Sequence, residues 1–453
     1  MNSKINSTIA ALFLSVTMLP APSFADSASD AMVTETATAF PTRLYLSKAG
    51  IALSAFPSHP NLTRTLNVTR TAGNAPVSWA ASSNQPWLKV TASGTTSGML
   101  TLQANIKGLN KDQLYLATIT VSTAANSEFA DTQSLPVSLW IGSQSPANVD
   151  FKRTVTALAT NPVLPYVYVS GGGSTVDVYN VYTAKLVASF PQIAATVGAL
   201  TVSGDGQFLF AADYTNYRIV KLNAVNGTKL SQFNIGQKIG PGFSMVYARP
   251  FGVPAIYPAG GKIFSVETNT PLTSTPLTQE FIAVTPNGQN MYSVDLGISP
   301  GSLTGYKVTD NGGTLKVASF GSSSISGENC QDLAVSDNGA HVYPACGYPY
   351  EFDVYSGKTL LQVQTLPAAP YPNNAEIDTE GRFVGGIDGI YETYDAFLYG
   401  QNGYSISKVA TMPDQYANGQ NGNMLVVSGD TSRVISATSP VFSNPIILFR
   451  NLQ

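Results

Sequence analysis

Two cysteines and two histidines carry most of the side-chain chemistry open to this chain. Cys330 and Cys346 bound the stretch CQDLAVSDNGAHVYPAC, while His59 and His341 lie far apart in sequence. A cysteine pair can serve as a redox centre, a metal site or a staple. The CxxC spacing of a redox pair is absent. A metal site wants further Cys or His ligands at characteristic spacing, and only His341 is near. The runs LAVS and HVYPA flank Asp337-Asn338-Gly339, and Asn and Gly favour a turn because both tolerate positive φ. A three-residue hairpin loop with Gly in the left-handed position sets Ser336 opposite Ala340. That register sets Cys330 opposite Cys346, near the spacing a disulfide needs. The expectation is a structural disulfide, which persists in an oxidising compartment.

No catalytic set is legible elsewhere. His59 sits in a Pro-flanked loop, His341 begins a strand after a turn, and a lone His without a partner specifies no acid–base role. There is no Ser/His/Asp set, no G-x-S-x-G elbow and no HExxH zinc motif. Gly171-Gly172-Gly173-Ser174-Thr175 is rich in glycine. No helix follows it to offer a phosphate its N-terminus, so it is read as a loop between strands. No residue is assigned as catalytic or metal-ligating, and no cofactor is required, with Ca²⁺ the one ion that surface carboxylates would suit.

The elements around these residues are strands. Only 11% of residues are charged, and the abundance of Val, Thr, Tyr, Ser, Asn and Gly favours strands and turns over long helices. The net charge of −3 offers no basic field to nucleic acid. Residues 1–25 have the three parts of a signal peptide: Lys4, the apolar run Ile9–Leu19, and Ser23-Phe24-Ala25 before a cleavage point after Ala25. The apolar run is shorter than the roughly 20 residues of a membrane span, and no later segment supplies one. The expectation is an exported protein, periplasmic, secreted or on the cell surface, with residues 26–43 as a polar linker.

Residues 151–453 repeat a strand, a turn ending in Gly and a second strand. The copies are TVSGDGQFLFAAD, AVTPNGQNMYSVD, AVSDNGAHVYPAC and EIDTEGRFVGGID, with turn glycines at Gly206, Gly288, Gly339 and Gly381. Weaker copies place Gly252 and Gly422, and NPVLPYVYVSGG aligns at Leu164. A period of roughly 40–45 residues with four short strands per unit is a propeller signature. These units resemble the YVTN-type β-propeller repeat, and seven of them are read here. PIILFRN is taken as the fourth strand of the last unit, so that ring closure borrows nothing from the N-terminal side. The Trp-Asp dipeptide of WD40 repeats and the Trp docking motifs of quinoprotein propellers are both missing.

Residues 44–142 differ in texture, with short strand-like runs spaced as in a β-sandwich. Pro86-Trp87-Leu88-Lys89-Val90, SGTTSGMLTL, YLATITVS and LPVSLWI resemble the BACON family of Ig-like domains, although Leu114 stands where the family often has Gly. The resemblance implies a carbohydrate-binding module or a spacer. Trp87 is read as a core anchor, since large aromatics carry sandwich cores. Residues 143–150 form a polar, Pro-containing linker. The fold class is therefore all-β: an N-terminal Ig-like β-sandwich and a C-terminal seven-bladed β-propeller.

In propellers, the loops joining second to third strands and the loops between blades share one face. Here they carry Asp213, Tyr214, Tyr217, Asp295, Tyr348, Tyr350, Tyr371, Asp388, Tyr391 and Glu392. Tyr offers rigid area with a polar tip, and carboxylates accept from sugar hydroxyls. For any single residue the plainer role is packing between blades or capping a turn. The function expected is a non-catalytic, exported binding or surface-interaction protein with a carbohydrate or protein ligand. Two alternatives stand beside it. One is a metal-assisted propeller enzyme of lactonase or lyase type using Asp213, Asp295 and Asp388; the other is a structural envelope or matrix component.

Overall fold

Strand-forming sequence separated by Gly, Asn and Asp turns folds into sheets throughout. The computed structural model describes residues 38–452 except Ser58, Asn126, Pro241, Glu280 and the segments 296–298, 389–393, 401–405, 412–419 and 439–444. The expected signal peptide and its cleavage point lie outside the described residues. Among the described residues, no helix is long and apolar enough to cross a membrane.

Leu44–Leu46 to Thr132–Ile141 make two sheets. Thr63–Arg70 alternates exposed and buried positions, as a strand with one face on a core must. Leu53, Leu66, Val68, Leu100, Ile119 and Leu139 from the two sheets share that core. Trp87 is only 7% exposed and sits in the core edge-on to Tyr115. It is a packing anchor and not a platform for sugar.

Beyond residue 148 the strands form seven further sheets among the described residues. Their innermost strands are Ala157–Thr160, Val197–Val202, Met245–Ala248, Ile282–Val284, Glu328–Val335, Pro372–Ile377 and Gln420–Val427. Each inner strand neighbours the next, and the seventh returns to the first. The ring is a seven-bladed propeller, with blades numbered here in that order. Middle strands of the blades, such as Val176–Asn180, are buried throughout, because each blade packs on both faces. Outermost strands such as Leu186–Phe190 are largely exposed. Second-strand tyrosines tie blade to blade. Tyr168 donates to the Ala224 carbonyl (2.8 Å), Tyr257 to Gly288 (2.9 Å) and Tyr292 to Gly357 (2.8 Å).

Ring closure differs from the sequence expectation. The outermost strand of blade 7 is Val149–Lys152, paired antiparallel with Ile446–Asn451. PIILFRN is therefore a third strand, and the fourth is borrowed from the N-terminal side. The cause is a phase error in the last repeat. VSGDGQFLF of blade 2 corresponds to VSGDTSRVI, so the turn falls at Thr431 (φ +64°) and not at Gly422, which lies in the inner strand. Thr in place of the turn glycine hides the repeat.

The cysteine hairpin also differs in detail. Ser336 donates its amide to the His341 carbonyl (2.9 Å), which makes the loop four residues long, and Val335 pairs with Val342. The register is thus shifted by one from the expectation. An irregularity at Gln331 then shifts it back, so Cys330 does oppose Cys346 and the disulfide forms.

Candidate functional site

The propeller has two faces, and the sandwich occupies one of them. Turns joining first to second strands point towards the sandwich. Lys48 Nζ meets Asp337 Oδ2 at 2.5 Å. Arg64 pairs with Glu380 at 3.0 Å and donates to the Asp430 carbonyl (3.0 Å), to which Asn61 also donates (2.8 Å). Arg249 lies over the Tyr45 ring and donates to the Leu46 carbonyl. Phe56 and Trp140 pack on the buried Tyr182. A β-carbon at Gly50 would lie 2.8 Å from the Gly204 carbonyl oxygen, so glycine lets the Ser47–Gly50 loop approach the ring.

That loop closes one mouth of the central channel. The cavity holds about 470 Å³ and is lined by the inner strands of all seven blades and by Ser47, Lys48, Ala49 and Gly50. Two of the acids lining it, Asp332 and Glu376, lie on the inner strands. Asp332 is 5% exposed and accepts the amides of Leu333 (2.7 Å) and Ala375 (2.9 Å). Burial outweighs these bonds and pushes its carboxyl to about 7. Glu376 keeps some surface open to the channel but is screened from bulk water. Burial, with Asp332 and Asp378 nearby, pushes it to about 8. At neutral pH Glu376 is thus largely protonated, while Asp332 sits near the middle of its titration. Nothing in the sequence marks these two acids, because their role depends on lying on the innermost strands.

The opposite face, built from second-to-third-strand loops and inter-blade loops, is free of the sandwich. It carries the expected residues in two groups. On blades 5 and 6, Tyr348, Tyr350 and Tyr371 are 56%, 47% and 38% exposed. Tyr348 and Tyr350 rings are 6.1 Å apart, and Tyr350 and Tyr371 rings 5.2 Å. Tyr350 hydrogen-bonds Tyr371, which raises the Tyr371 phenol, with the Asp388 charge adding to the shift. Asp388 donates its amide to the Tyr371 carbonyl (2.9 Å), and partial burial pushes its carboxyl to about 6.

On blade 2, Tyr214 and Tyr217 lie 5.3 and 5.8 Å from Lys238 Nζ, measured to the ring centres. Lys238, on the following inter-blade loop, escaped the sequence reading, where an isolated lysine among polar residues gave no signal. Asp213 is not exposed on this face. It is 1% exposed, pairs with Arg218 (2.9 Å) and accepts from Asn216 (2.8 Å). Burial opposes its ionisation, but these donors together outweigh it and hold the carboxyl below its usual range. It is a turn cap. Asp295 is exposed on blade 4, in neither group. Tyr391 and Glu392 lie outside the described residues.

Asp213, Asp295 and Asp388 therefore stand on blades 2, 4 and 6. Among the described residues, no three His, Cys, Asp or Glu side chains converge as a metal set would. His341 is exposed beside Tyr343 on the turn side of blade 5, away from the tyrosine face. What this face offers chemically is aromatic area, phenol hydroxyls and carboxylates that accept hydrogen bonds. No protein-family model and no curated protein sequence matches the chain.

Proposed function

We propose that the protein is an exported binding protein that presents the tyrosine face of its propeller to a carbohydrate. The observation that carries this is the run of three exposed, mutually contacting tyrosines beside Asp388. They stand on the face that the sandwich leaves free. Flat aromatic area stacks on the apolar face of a sugar ring, while phenols and a carboxylate accept from its hydroxyls. Contact within the trio limits ring motion, which lowers the entropy cost of binding. Export is supported by the apolar leader Ile9–Leu19 and by the Cys330–Cys346 bridge. The BACON-like sandwich acts in this reading as a cap and spacer, since its Trp87 is buried and its Ser47–Gly50 loop closes the channel. The metal-assisted enzyme has less support, because its three aspartates stand on different blades.

The test is a glycan array on the mature chain, followed by titration of the best glycan. Tyr350→Ala removes the middle ring and is expected to weaken binding about tenfold, roughly 1.4 kcal/mol. Silence across the array, or unchanged affinity in Tyr350→Ala, would sink the reading.

A further inference from the structure

A second concavity on the same face has different chemistry. It holds about 410 Å³ and is lined by Lys152, Arg153 and Thr154 on one side and by the Gly171–Thr175 loop on the other. Lys152–Thr154 leads from the borrowed strand of blade 7 into blade 1. Gly171–Thr175 joins the second and third strands of blade 1. Both segments therefore belong to the face opposite the sandwich.

The two cations are differently prepared. Arg153 is anchored through Nη2 to Asp177 Oδ2 at 2.6 Å, and Ser189 donates to the other Asp177 oxygen at 2.6 Å. Arg153 Nε is buried and meets no acceptor. The side chain as a whole keeps 29% of its surface exposed, so the guanidinium lines the concavity while Nε itself is closed to solvent. Lys152 is exposed and makes no ion pair among the described residues.

The glycine loop completes the site. It is fixed through its carbonyls, which accept the amides of Val197 (3.0 Å, at Gly173) and Ile193 (2.9 Å, at Ser174). The amides of Gly173 and Ser174 have no backbone partner among the described residues. A β-carbon at Gly173 would meet nothing within 4 Å, so the loop backbone is open to approach. Successive free amides beside a fixed guanidinium and an exposed, unpaired ammonium suit an oxyanion. Hydrogen bonds tie this loop to the loop of the blade 2 tyrosines: Thr196, next to Val197, accepts from the Tyr214 amide (2.9 Å) and from the Thr215 hydroxyl (3.0 Å).

We propose that this concavity receives the carboxylate or sulfate group of an acidic polysaccharide whose sugar rings run along Tyr214 and Tyr217. The ligand class rests on the carbohydrate reading above; the oxyanion site rests on its own groups. Guanidinium and amides would hold the anion directly, with Lys152 adding charge. Lys238 lies farther along the same track.

The test titrates the full chain with oligogalacturonate, a heparin-derived octasaccharide, inorganic sulfate and the best neutral glycan. Binding of an acidic oligosaccharide is expected, weakened about fivefold by Lys152→Gln and by Arg153→Lys, which keeps charge but loses the planar guanidinium fork. Its affinity falls as salt rises from low to moderate concentration. Neutral-glycan binding stays unchanged in both variants, while Tyr350→Ala reports separately on the tyrosine patch. Equal affinity of wild type and Lys152→Gln for every acidic oligosaccharide would overturn the proposal. So would a Lys152-dependent response to inorganic sulfate with no response to either acidic saccharide, and so would silence from all three anions.

Discussion

Arg433→Met is expected to destabilise the protein by about 3–5 kcal/mol, the cost typical of stripping a buried charged group from its partners. Arg433 is fully buried at the start of the second strand of blade 7. Its guanidinium joins three parts of the chain. Nε donates to the Val181 carbonyl of blade 1 (3.2 Å), Nη2 to the Ala147 carbonyl (2.8 Å), and Nη1 to Asn451. Asn451 in turn donates to the Pro146 carbonyl (2.9 Å), and a methionine has no donor for the Asn451 Oδ1 that Arg433 serves. The residues so tied lead directly into Val149–Lys152, the strand that closes the ring. Met fills similar volume but leaves the buried Val181 carbonyl unpaired and releases the half-buried contacts to Asn451 and Ala147. Burial, with Arg450 nearby, already lowers the guanidinium to about 10, so the cation is held there by its hydrogen bonds. Urea unfolding with tryptophan fluorescence measures the effect. A loss below about 1 kcal/mol, the size of an exposed ion pair, would show that closure does not depend on this clasp.

Glu376→Gln is expected to leave stability unchanged near pH 4.5 and to raise it by about 2 kcal/mol at pH 8, with one pKa unit equal to ~1.4 kcal/mol and the full shift discounted for channel water. The sign follows from the two states. Unfolded, Glu376 ionises near its ordinary 4.5; folded, burial and the neighbouring Asp332 and Asp378 move it to about 8. Between those values the folded chain holds a proton that the unfolded chain has released. Stability therefore falls as pH rises through this window and levels off above it. Asp332, moved by burial from 3.8 to about 7, acts in the same direction. Gln keeps the shape and cannot ionise, so it removes the Glu376 share of the slope. Urea midpoints at pH 5 and pH 8 decide the matter. A variant that tracks wild type at both pH values, or is weaker at pH 8, would contradict the channel electrostatics.

The fold was legible where a pattern repeats and illegible where one residue breaks it. Four glycine-ended turns fixed the period of the ring, and Gly206, Gly288, Gly339 and Gly381 all adopt positive φ. Thr431 adopts the same conformation without being glycine, and that single replacement hid the phase of the last blade and with it the borrowed strand. The disulfide was reached through a hairpin register wrong by one, because a four-residue loop and an irregularity at Gln331 offset each other. Strand patterns do not announce either feature.

The site was legible by half. Loop position alone placed Tyr348, Tyr350, Tyr371 and Asp388 on one surface, since blade topology assigns each loop to a face. Asp213 sits on the same loops but is consumed by Arg218 and Asn216, a local pairing that sequence does not rank above exposure. Which face is free was beyond the sequence altogether. It depends on Lys48, Gly50 and Arg64 of the sandwich reaching turns that lie hundreds of residues away.

Hydrogen–deuterium exchange of the full chain, with and without the glycan that binds best on the array, tests the face assignment most directly. Slowed exchange confined to the loops at 171–175, 213–217, 347–350 and 368–371 is the expected result. Slowing at the turns 203–207 and 336–340 or in the sandwich strand Leu88–Val90, with those loops unchanged, would contradict it.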